Sequence, residues 1–240
     1  MPASRLAEDI PLARRSQPAQ PPRRSPMRRL AWLVLACGLL SGGIGLLLLG
    51  PLRSLITPPP VAGLNARLSR DGRLLGHFPY PEAPASQLVA LAPGQSLRPD
   101  AAAALQAMQR AARQEGIELV LLSAFRPVAL QRQLFFDVKA ERNQSASLRA
   151  RVSAPPGFSE HSTGYAVDLG DGSAPGTNLS PRFEETAAYR WLSRHAARFH
   201  FQLSFPRSNP QGVSYEPWHW RYEGSTEALR LFEPAQRLGR

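Results

Sequence analysis

Residues 158–171 read FSEHSTGYAVDLGD, and they join a polar loop to a short apolar run. The run YAVDLG predicts a strand, with His161 in the loop before it and Asp168 inside it. If the loop turns the imidazole towards the carboxylate, the two side chains form half of a metal site. A His and an Asp at this spacing also occur often by chance. The remaining residues of a site must therefore lie elsewhere in the chain.

Helices and short strands alternate on both sides of this segment. The patterns predict a hairpin at Asp71-Gly72, helices at 99–116, 127–143 and 182–199, and strands at 117–125, 165–170, 201–205 and 219–224. The loops after Asn143 and over 170–178 are long for a doubly wound parallel sheet. The sequence therefore favours the α+β class, a compact single domain with a small, mainly antiparallel sheet flanked by helices.

The first 63 residues have a different composition. Residues 1–29 are rich in Pro, Ser and Arg and predict a disordered tail. Residues 30–50 carry no charge, and at about 1.5 Å per residue they span about 30 Å, the thickness of a bilayer core. The Arg-rich flank before them predicts a cytoplasmic N-terminus and an exported remainder. Residues 51–63 predict a stiff linker, and residues 64–240 form the predicted folded domain.

Two alternatives to a membrane anchor are a cleaved signal peptide and a lipidated cysteine. The apolar run is long and is followed by PLRSLITPPP, which offers no small-x-small cleavage site. Cys37, the single cysteine, lies in the middle of the run. An uncleaved transmembrane helix is therefore favoured. Without a later cysteine, any metal site in the exported part must be built from His, Asp and Glu.

The formal charge of +11 comes almost entirely from arginine, since Lys139 is the only lysine. A basic surface is compatible with an anionic partner such as the cell envelope. Nucleic acid is disfavoured as a partner, because no basic run is interleaved with aromatic residues.

Four histidines besides His161 have to be assigned. His77 is expected at an exposed or edge position, His195 near the end of a helix, and His200 in packing between two phenylalanines. His219 lies in YEPWHWRY, three residues after Glu216. In a regular strand these two side chains would point to opposite faces.

Pro217 makes a regular strand unlikely between Glu216 and His219, so a bend can direct both side chains into one pocket. Two imidazoles and one carboxylate suffice as ligands for a tetrahedral zinc ion with water in the fourth position. Zinc activates such a water, and Glu216 is the candidate for the base that takes its proton. Asp171 competes with Asp168 for the carboxylate ligand, and spacing alone does not separate them.

Three segments together resemble the VanY-type D-alanyl-D-alanine carboxypeptidases, which are zinc peptidases of bacterial cell-wall stem peptides. SEHSTGYAVD at 159–168 is similar to the family signature S-x-H-x-x-G-x-A-x-D. EPWHWRY at 216–222 resembles the second motif, and SAFRPVALQRQLF at 123–135 resembles the upstream S-x-[YF]-R-x4-Q segment. They occur in the family's order within about residues 97–223, so the joint match is more specific than any single motif.

The resemblance implies a role for each matching residue. It implies that His161, Asp168 and His219 bind one zinc ion, which selects Asp168 over Asp171, and that Glu216 is the catalytic base. FHF at 199–201 departs from the pattern, because the family more usually has Gly before the Phe.

Substrate recognition follows from the same resemblance. It implies that Arg126 binds the C-terminal carboxylate of the substrate with help from Gln131 and Ser159. A planar guanidinium can bind a carboxylate through two parallel hydrogen bonds, which suits a carboxypeptidase. Trp218 is expected to line the pocket or to be structural.

The implied activity is removal of the terminal D-Ala from peptidoglycan stem peptides by a membrane-anchored zinc D,D-carboxypeptidase. An L,D-carboxypeptidase or an endopeptidase with the same fold stays open, because these motifs do not encode that choice. A catalytically silent cell-wall-binding module is the alternative of a different class.

Overall fold

A four-stranded antiparallel sheet carries Asp168 and His219 on its two central strands. The structure, a computed structural model, describes residues 63–238. The strands of this part are β1 (Val89–Ala92), β2 (Gln95–Leu97), β3 (Leu119–Ser123), β4 (Ala166–Asp171), β5 (Phe201–Leu203) and β6 (His219–Tyr222). Its α-helices are α1 (Pro99–Gln114), α2 (Val128–Glu141), α3 (Ala146–Ala150), α4 (Ala187–His195) and α5 (Thr226–Leu238). Short 3-10 turns occupy Ala85–Gln87, Glu160–Thr163, Pro175–Thr177, Pro181–Glu185 and Ala196–Phe199.

The main sheet has the strand order β3-β4-β6-β5, and each neighbouring pair is antiparallel. β1 and β2 form a separate antiparallel hairpin. The two central strands, β4 and β6, are buried along their whole length. These sheets and the surrounding helices confirm the predicted α+β class with a small antiparallel sheet.

Helix α1 shows how the apolar pattern builds the core. Its predicted stripe of Ala102, Leu105, Met108 and Ala112 is buried and belongs to the main core cluster. The helix ends before Gly116, whose φ of +73° lies in the left-handed region that glycine adopts freely. The start at Pro99 and the buried face are confirmed, and the helix ends two residues before the predicted end at 116.

Three local predictions were wrong. The predicted hairpin at Asp71-Gly72 is a turn followed by an isolated bridge between Leu74 and His77. His77 is buried, and its Nε2 lies 2.7 Å from the carbonyl oxygen of Ala150. The predicted helix at 182–199 is interrupted at Thr186, whose hydroxyl accepts a hydrogen bond at the start of α4.

The N-terminal predictions fall on residues that the structure does not describe. Among residues 63–238, no helix is both long and apolar enough to cross a bilayer. The predicted tail at 1–29 and membrane span at 30–50 lie outside the described residues, as does the linker up to residue 62.

Candidate metal and catalytic site

The register of β4 and β6 places Asp168 beside His219. The two residues are direct partners in the antiparallel pair, so their side chains extend from the same face of the sheet. Asp168 Oδ1 lies 3.1 Å from His219 Nδ1, and both residues are buried. A strand pair therefore brings together two residues that are far apart in sequence.

His161 reaches the same point from a 3-10 turn, Glu160–Thr163, which ends at Gly164. Gly164 has a φ of +74°, and a Cβ atom there would lie 2.8 Å from a methyl carbon of Leu88. The left-handed backbone conformation therefore favours glycine at this position. The turn directs His161 Nε2 to within 3.2 Å of Asp168 Oδ2.

The three side chains fit a metal ion. One ligand atom from each of His161, Asp168 and His219 lies within 4.8 Å of the other two. A tetrahedral zinc ion with bonds of about 2.0–2.1 Å separates its ligand atoms by about 3.3 Å, close to the nitrogen–oxygen distances found here. His161 Nδ1 lies 2.8 Å from the carbonyl oxygen of Ala124, which leaves Nε2 free to bind a metal.

Electrostatics also favour a cation at this point. Burial alone would lower the pKa of His219, but hydrogen bonds and negative charge from Asp168 and Glu160 raise it to about 10. Burial would raise the pKa of Asp168, and the two imidazoles outweigh that effect and hold it well below its usual range. A divalent ion can replace the proton on His219 Nδ1 and satisfy the same carboxylate.

Glu216 lies at the edge of the cluster. The N–H of His219 donates to the carbonyl oxygen of Glu216 across Pro217, and this turn brings both side chains to one side, as the proline predicted. Glu216 Oε2 lies 4.0 Å from His219 Nδ1. Burial, with the negative charges of Asp168 and Glu160, raises the pKa of Glu216 to about 7. A carboxylate with such a pKa can both accept and return a proton near neutral pH.

Arg126 lies just after β3, close to Asp168. Its Nη2 lies 3.7 Å from Asp168 Oδ2 and donates to the hydroxyl of Ser123 at 3.0 Å. Its Nη1 donates to Gln131 Oε1 at 3.0 Å. Gln131 is fully buried, and its amide nitrogen donates to the carbonyl oxygen of Ala154 at 2.6 Å. Gln131 therefore holds Arg126 in place, and we expect it to act on a substrate through Arg126.

One cavity of about 680 Å³ is lined by the three metal-ligand candidates together with Glu216 and Arg126, but not by Gln131. Ser159 is buried and lines it, next to His161. Trp218 is half-buried, lines the same cavity and packs against the main core, so it combines the two roles expected for it.

Asp171 lies apart from the cluster. One of its carboxylate oxygens accepts from the N–H of Ala188 at 3.1 Å, and the other accepts from the N–H of Ser173 at 2.8 Å. Asp171 thus caps the first turn of α4 and fixes the loop after β4. This position agrees with the choice of Asp168 as the metal-ligand candidate.

The sequence reasoning missed Glu160. Its carboxylate is buried, and Oε2 lies 2.9 Å from His219 Nε2. The only signal was an acidic residue directly before His161, which in a loop would ordinarily be interpreted as solvent-exposed.

Comparison with known proteins agrees with this geometry. The VanY family, described as D-alanyl-D-alanine carboxypeptidase, matches residues 94–225. The chain belongs to this family. The D-alanyl-D-alanine carboxypeptidase of Enterococcus faecalis (strain ATCC 700802 / V583) is 33% identical over 137 residues, which are 53% of this chain and 48% of the relative. The chain thus spans about half the length of the first curated relatives that it matches.

Two solved structures are similar over most of the described residues. The LdcB LD-carboxypeptidase, solved for peptidoglycan recognition, has a TM-score of 0.58 and 26% identity, and the match covers 75% of this chain and 92% of LdcB. A mutant of the D,D-pentapeptidase VanY from a VanB-type vancomycin-resistance cassette, in complex with Zn(II), has a TM-score of 0.51 and 27% identity. That match covers 68% of this chain and 94% of the VanY chain.

Proposed function

We propose that this chain is a zinc-dependent D,D-carboxypeptidase that hydrolyses the terminal D-Ala of peptidoglycan stem peptides. One observation carries the proposal: His161, Asp168 and His219 converge in a cavity that also holds Glu216 and Arg126. Membership of the VanY family and the Zn(II) complex of the VanY structure support both the reaction class and the metal.

His161 Nε2, a carboxylate oxygen of Asp168 and His219 Nδ1 would hold the ion. When bound, zinc supplies a Lewis acid that activates water and polarises a carbonyl. Glu216 is the proposed base, which takes a proton from the attacking water at Oε2 and delivers it to the leaving amine. Its raised pKa suits both steps.

Arg126 is proposed to recognise the free C-terminus of the peptide. Two of its guanidinium nitrogens are held by Ser123 and Gln131, so the planar group is fixed before the substrate arrives. A fixed guanidinium binds a carboxylate with two charge-assisted hydrogen bonds. Arg142 and Arg149 line the same cavity and add positive charge, which suits an anionic peptide.

An L,D-carboxypeptidase is the second candidate. The LdcB LD-carboxypeptidase matches with a TM-score of 0.58 and over 75% of this chain, against 0.51 and 68% for the VanY structure. The metal ligands and Arg126 serve either reaction, since both release a residue with a free carboxylate.

We further propose that the catalytic part, 64–240, is exported and anchored by a transmembrane helix at 30–50. The uncharged run and its Arg-rich flank support this arrangement, with residues 1–29 in the cytoplasm and 51–63 as a linker.

Defined peptides test the reaction. The full chain, in detergent and with zinc, is incubated with a pentapeptide ending in D-Ala-D-Ala and with a tetrapeptide ending in a diamino acid and D-Ala. Product masses then identify the bond that is cut. Loss of one D-Ala from the pentapeptide supports the D,D reaction, and loss from the tetrapeptide alone supports the L,D reaction. Release of D-Ala at an undiminished rate after complete zinc removal would exclude the proposed mechanism.

A further inference from the structure

Glu160 and His161 are adjacent in the chain, but their side chains serve different parts of the structure. His161 points to Asp168, whereas the Glu160 carboxylate lies against β6 and the segment that follows β5. Glu160 is 3% exposed, and burial of an unpaired carboxylate would be strongly unfavourable. The groups that surround this carboxylate therefore decide whether it stays charged.

Three donors surround Glu160. Oε2 accepts from the hydroxyl of Ser204 at 2.6 Å and lies 2.9 Å from His219 Nε2. Oε1 accepts from Arg221 Nη1 at 3.3 Å. The ion pair with the Arg221 guanidinium and the hydrogen bonds from Ser204 and His219 together stabilise the ionised form of this buried carboxylate.

This carboxylate determines which nitrogen of His219 is available. An ionised carboxylate only accepts hydrogen bonds, so Glu160 keeps a proton on Nε2 when a metal ion takes the place of the proton on Nδ1. Nδ1 faces Asp168 Oδ1 at 3.1 Å, where the ion would bind. The hydrogen bond also fixes the rotation of the ring and makes Nδ1 a stronger donor to a metal.

The two histidines are supported differently. His161 Nδ1 faces a neutral acceptor, the carbonyl oxygen of Ala124, whereas His219 Nε2 faces a negative charge. Removing the charge of Glu160 should therefore weaken one metal ligand and leave the other intact.

We propose that Glu160 is a positioning residue, which orients His219 through the Nε2 hydrogen bond and thereby sets the affinity of the site for zinc. The inference rests on the proposed metal-binding role of His219. Ser204 and Arg221 hold Glu160 in turn, so the orientation of the ligand depends on residues outside the metal cluster.

Glu223 provides a matched control. It accepts from Arg221 Nε at 2.6 Å, as Glu160 accepts from Nη1 of the same guanidinium, but it makes no hydrogen bond or ion pair with His161, Asp168 or His219. If zinc binding depends only on the pairing of Arg221 with a carboxylate, Glu160→Gln and Glu223→Gln should both weaken it. If zinc binding depends on the orientation of His219, only Glu160→Gln should weaken it.

The test is the zinc dissociation constant of the full chain, measured by competition with a chromophoric chelator, with thermal unfolding of the zinc-free protein recorded alongside. We expect Glu160→Gln to weaken zinc binding about 10- to 100-fold and Glu223→Gln to leave it unchanged. Ser204→Ala keeps the charge and removes one support, so it should weaken binding by a smaller factor, and it provides the test if Glu160→Gln does not fold.

Each outcome separates the two proposals. If the wild-type chain does not bind zinc, the proposed function fails before Glu160 is considered. If the wild-type chain binds zinc and Glu160→Gln binds it equally well, the positioning role is wrong. If Glu160→Gln and Glu223→Gln weaken zinc binding equally, Glu160 acts only as an ion-pair partner of Arg221.

Discussion

Asp168 and His219 are direct partners on neighbouring antiparallel strands, with Oδ1 of the one 3.1 Å from Nδ1 of the other. The strand register itself therefore fixes two of the three proposed ligands. Only His161 is supplied by a loop, and the 3-10 turn that ends at Gly164 constrains it.

The first prediction separates the two aspartates of β4. Asp168→Asn should abolish tight zinc binding, because a neutral amide is a poor zinc ligand. Asp171→Asn should keep zinc binding and lower the free energy of unfolding by about 1 kcal/mol, because an amide has one acceptor oxygen and can keep only one of the two hydrogen bonds that Asp171 accepts. The measurements are the zinc content of each variant and its free energy of unfolding with and without zinc. Saturating zinc at about 100 times its dissociation constant should stabilise Asp171→Asn by about 2.7 kcal/mol and leave Asp168→Asn unaffected. The opposite pattern would make Asp171 the ligand.

The second prediction concerns Glu216. Glu216→Gln should lower kcat by about 10²- to 10⁴-fold, because the amide has a similar shape but cannot accept the proton. Zinc affinity should stay close to that of the wild type, since Glu216 is not among the proposed ligands. Turnover of a D-Ala-terminated peptide, normalised to bound zinc, gives the result. Full turnover of the zinc-loaded variant would rule out Glu216 as the base.

The third prediction is the pH dependence of the same residue. The pKa of Glu216 is raised to about 7, mainly by burial, and a bound cation would lower it from there. Because the base must be unprotonated, kcat/KM should be highest above this pKa and fall as the pH falls through it, with a midpoint at or below about 7. We expect this acid limb in a profile from about pH 5 to pH 8, with bound zinc measured at each pH. The residual activity of Glu216→Gln should not show this fall of kcat/KM at low pH. If the variant shows the same fall, a group other than Glu216 causes it.

The fourth prediction tests recognition of the free C-terminus by Arg126. Arg126→Met should lower kcat/KM by about 10²-fold for a peptide with a free carboxylate. The loss should be much smaller for the same peptide with an amidated C-terminus, because that substrate has no carboxylate to pair with the guanidinium. Arg126→Lys restores the charge without the planar geometry and should recover only part of the activity. An equal loss on both peptides would indicate that Arg126 acts through Asp168, which lies 3.7 Å away.

Local patterns predicted the parts of the fold that depend on neighbouring residues. The stripe of α1 and its end at Gly116 follow from helical periodicity and from the preference of glycine for positive φ. The turn at Pro217 follows from the missing N–H of proline. The resemblance of three motifs indicated the residues that the sheet later brings together.

Contacts over long sequence distances were not predictable in this way. The buried His77 contacts Ala150, which lies 73 residues away in the sequence. The residue pattern around His77 does not indicate that contact. Glu160 is similar, since its partners Ser204, His219 and Arg221 lie 44 to 61 residues further along the chain. A charged residue in a polar loop is ordinarily exposed, and only the folded sheet shows otherwise.

The fifth prediction concerns His200 in the segment FHF, where the resemblance led us to expect glycine. His200 ends the 3-10 turn Ala196–Phe199 with a φ of +62°, in the left-handed region. In this conformation a non-glycine residue destabilises the folded state by about 1–2 kcal/mol. Glycine avoids that strain, but it loses more conformational entropy on folding, which costs about 0.5–1 kcal/mol. His200→Gly should therefore raise the free energy of unfolding by about 0.5–1 kcal/mol, measured by urea denaturation.

His200→Ala serves as the control, because it removes the ring, 6.2 Å from that of Tyr222, and keeps the left-handed strain. We expect no gain in stability from His200→Ala, and unchanged peptidase activity in both variants, since His200 does not line the cavity of the metal ligands. If His200→Gly is no more stable than His200→Ala, the ring contact rather than the backbone determines the stability at this position.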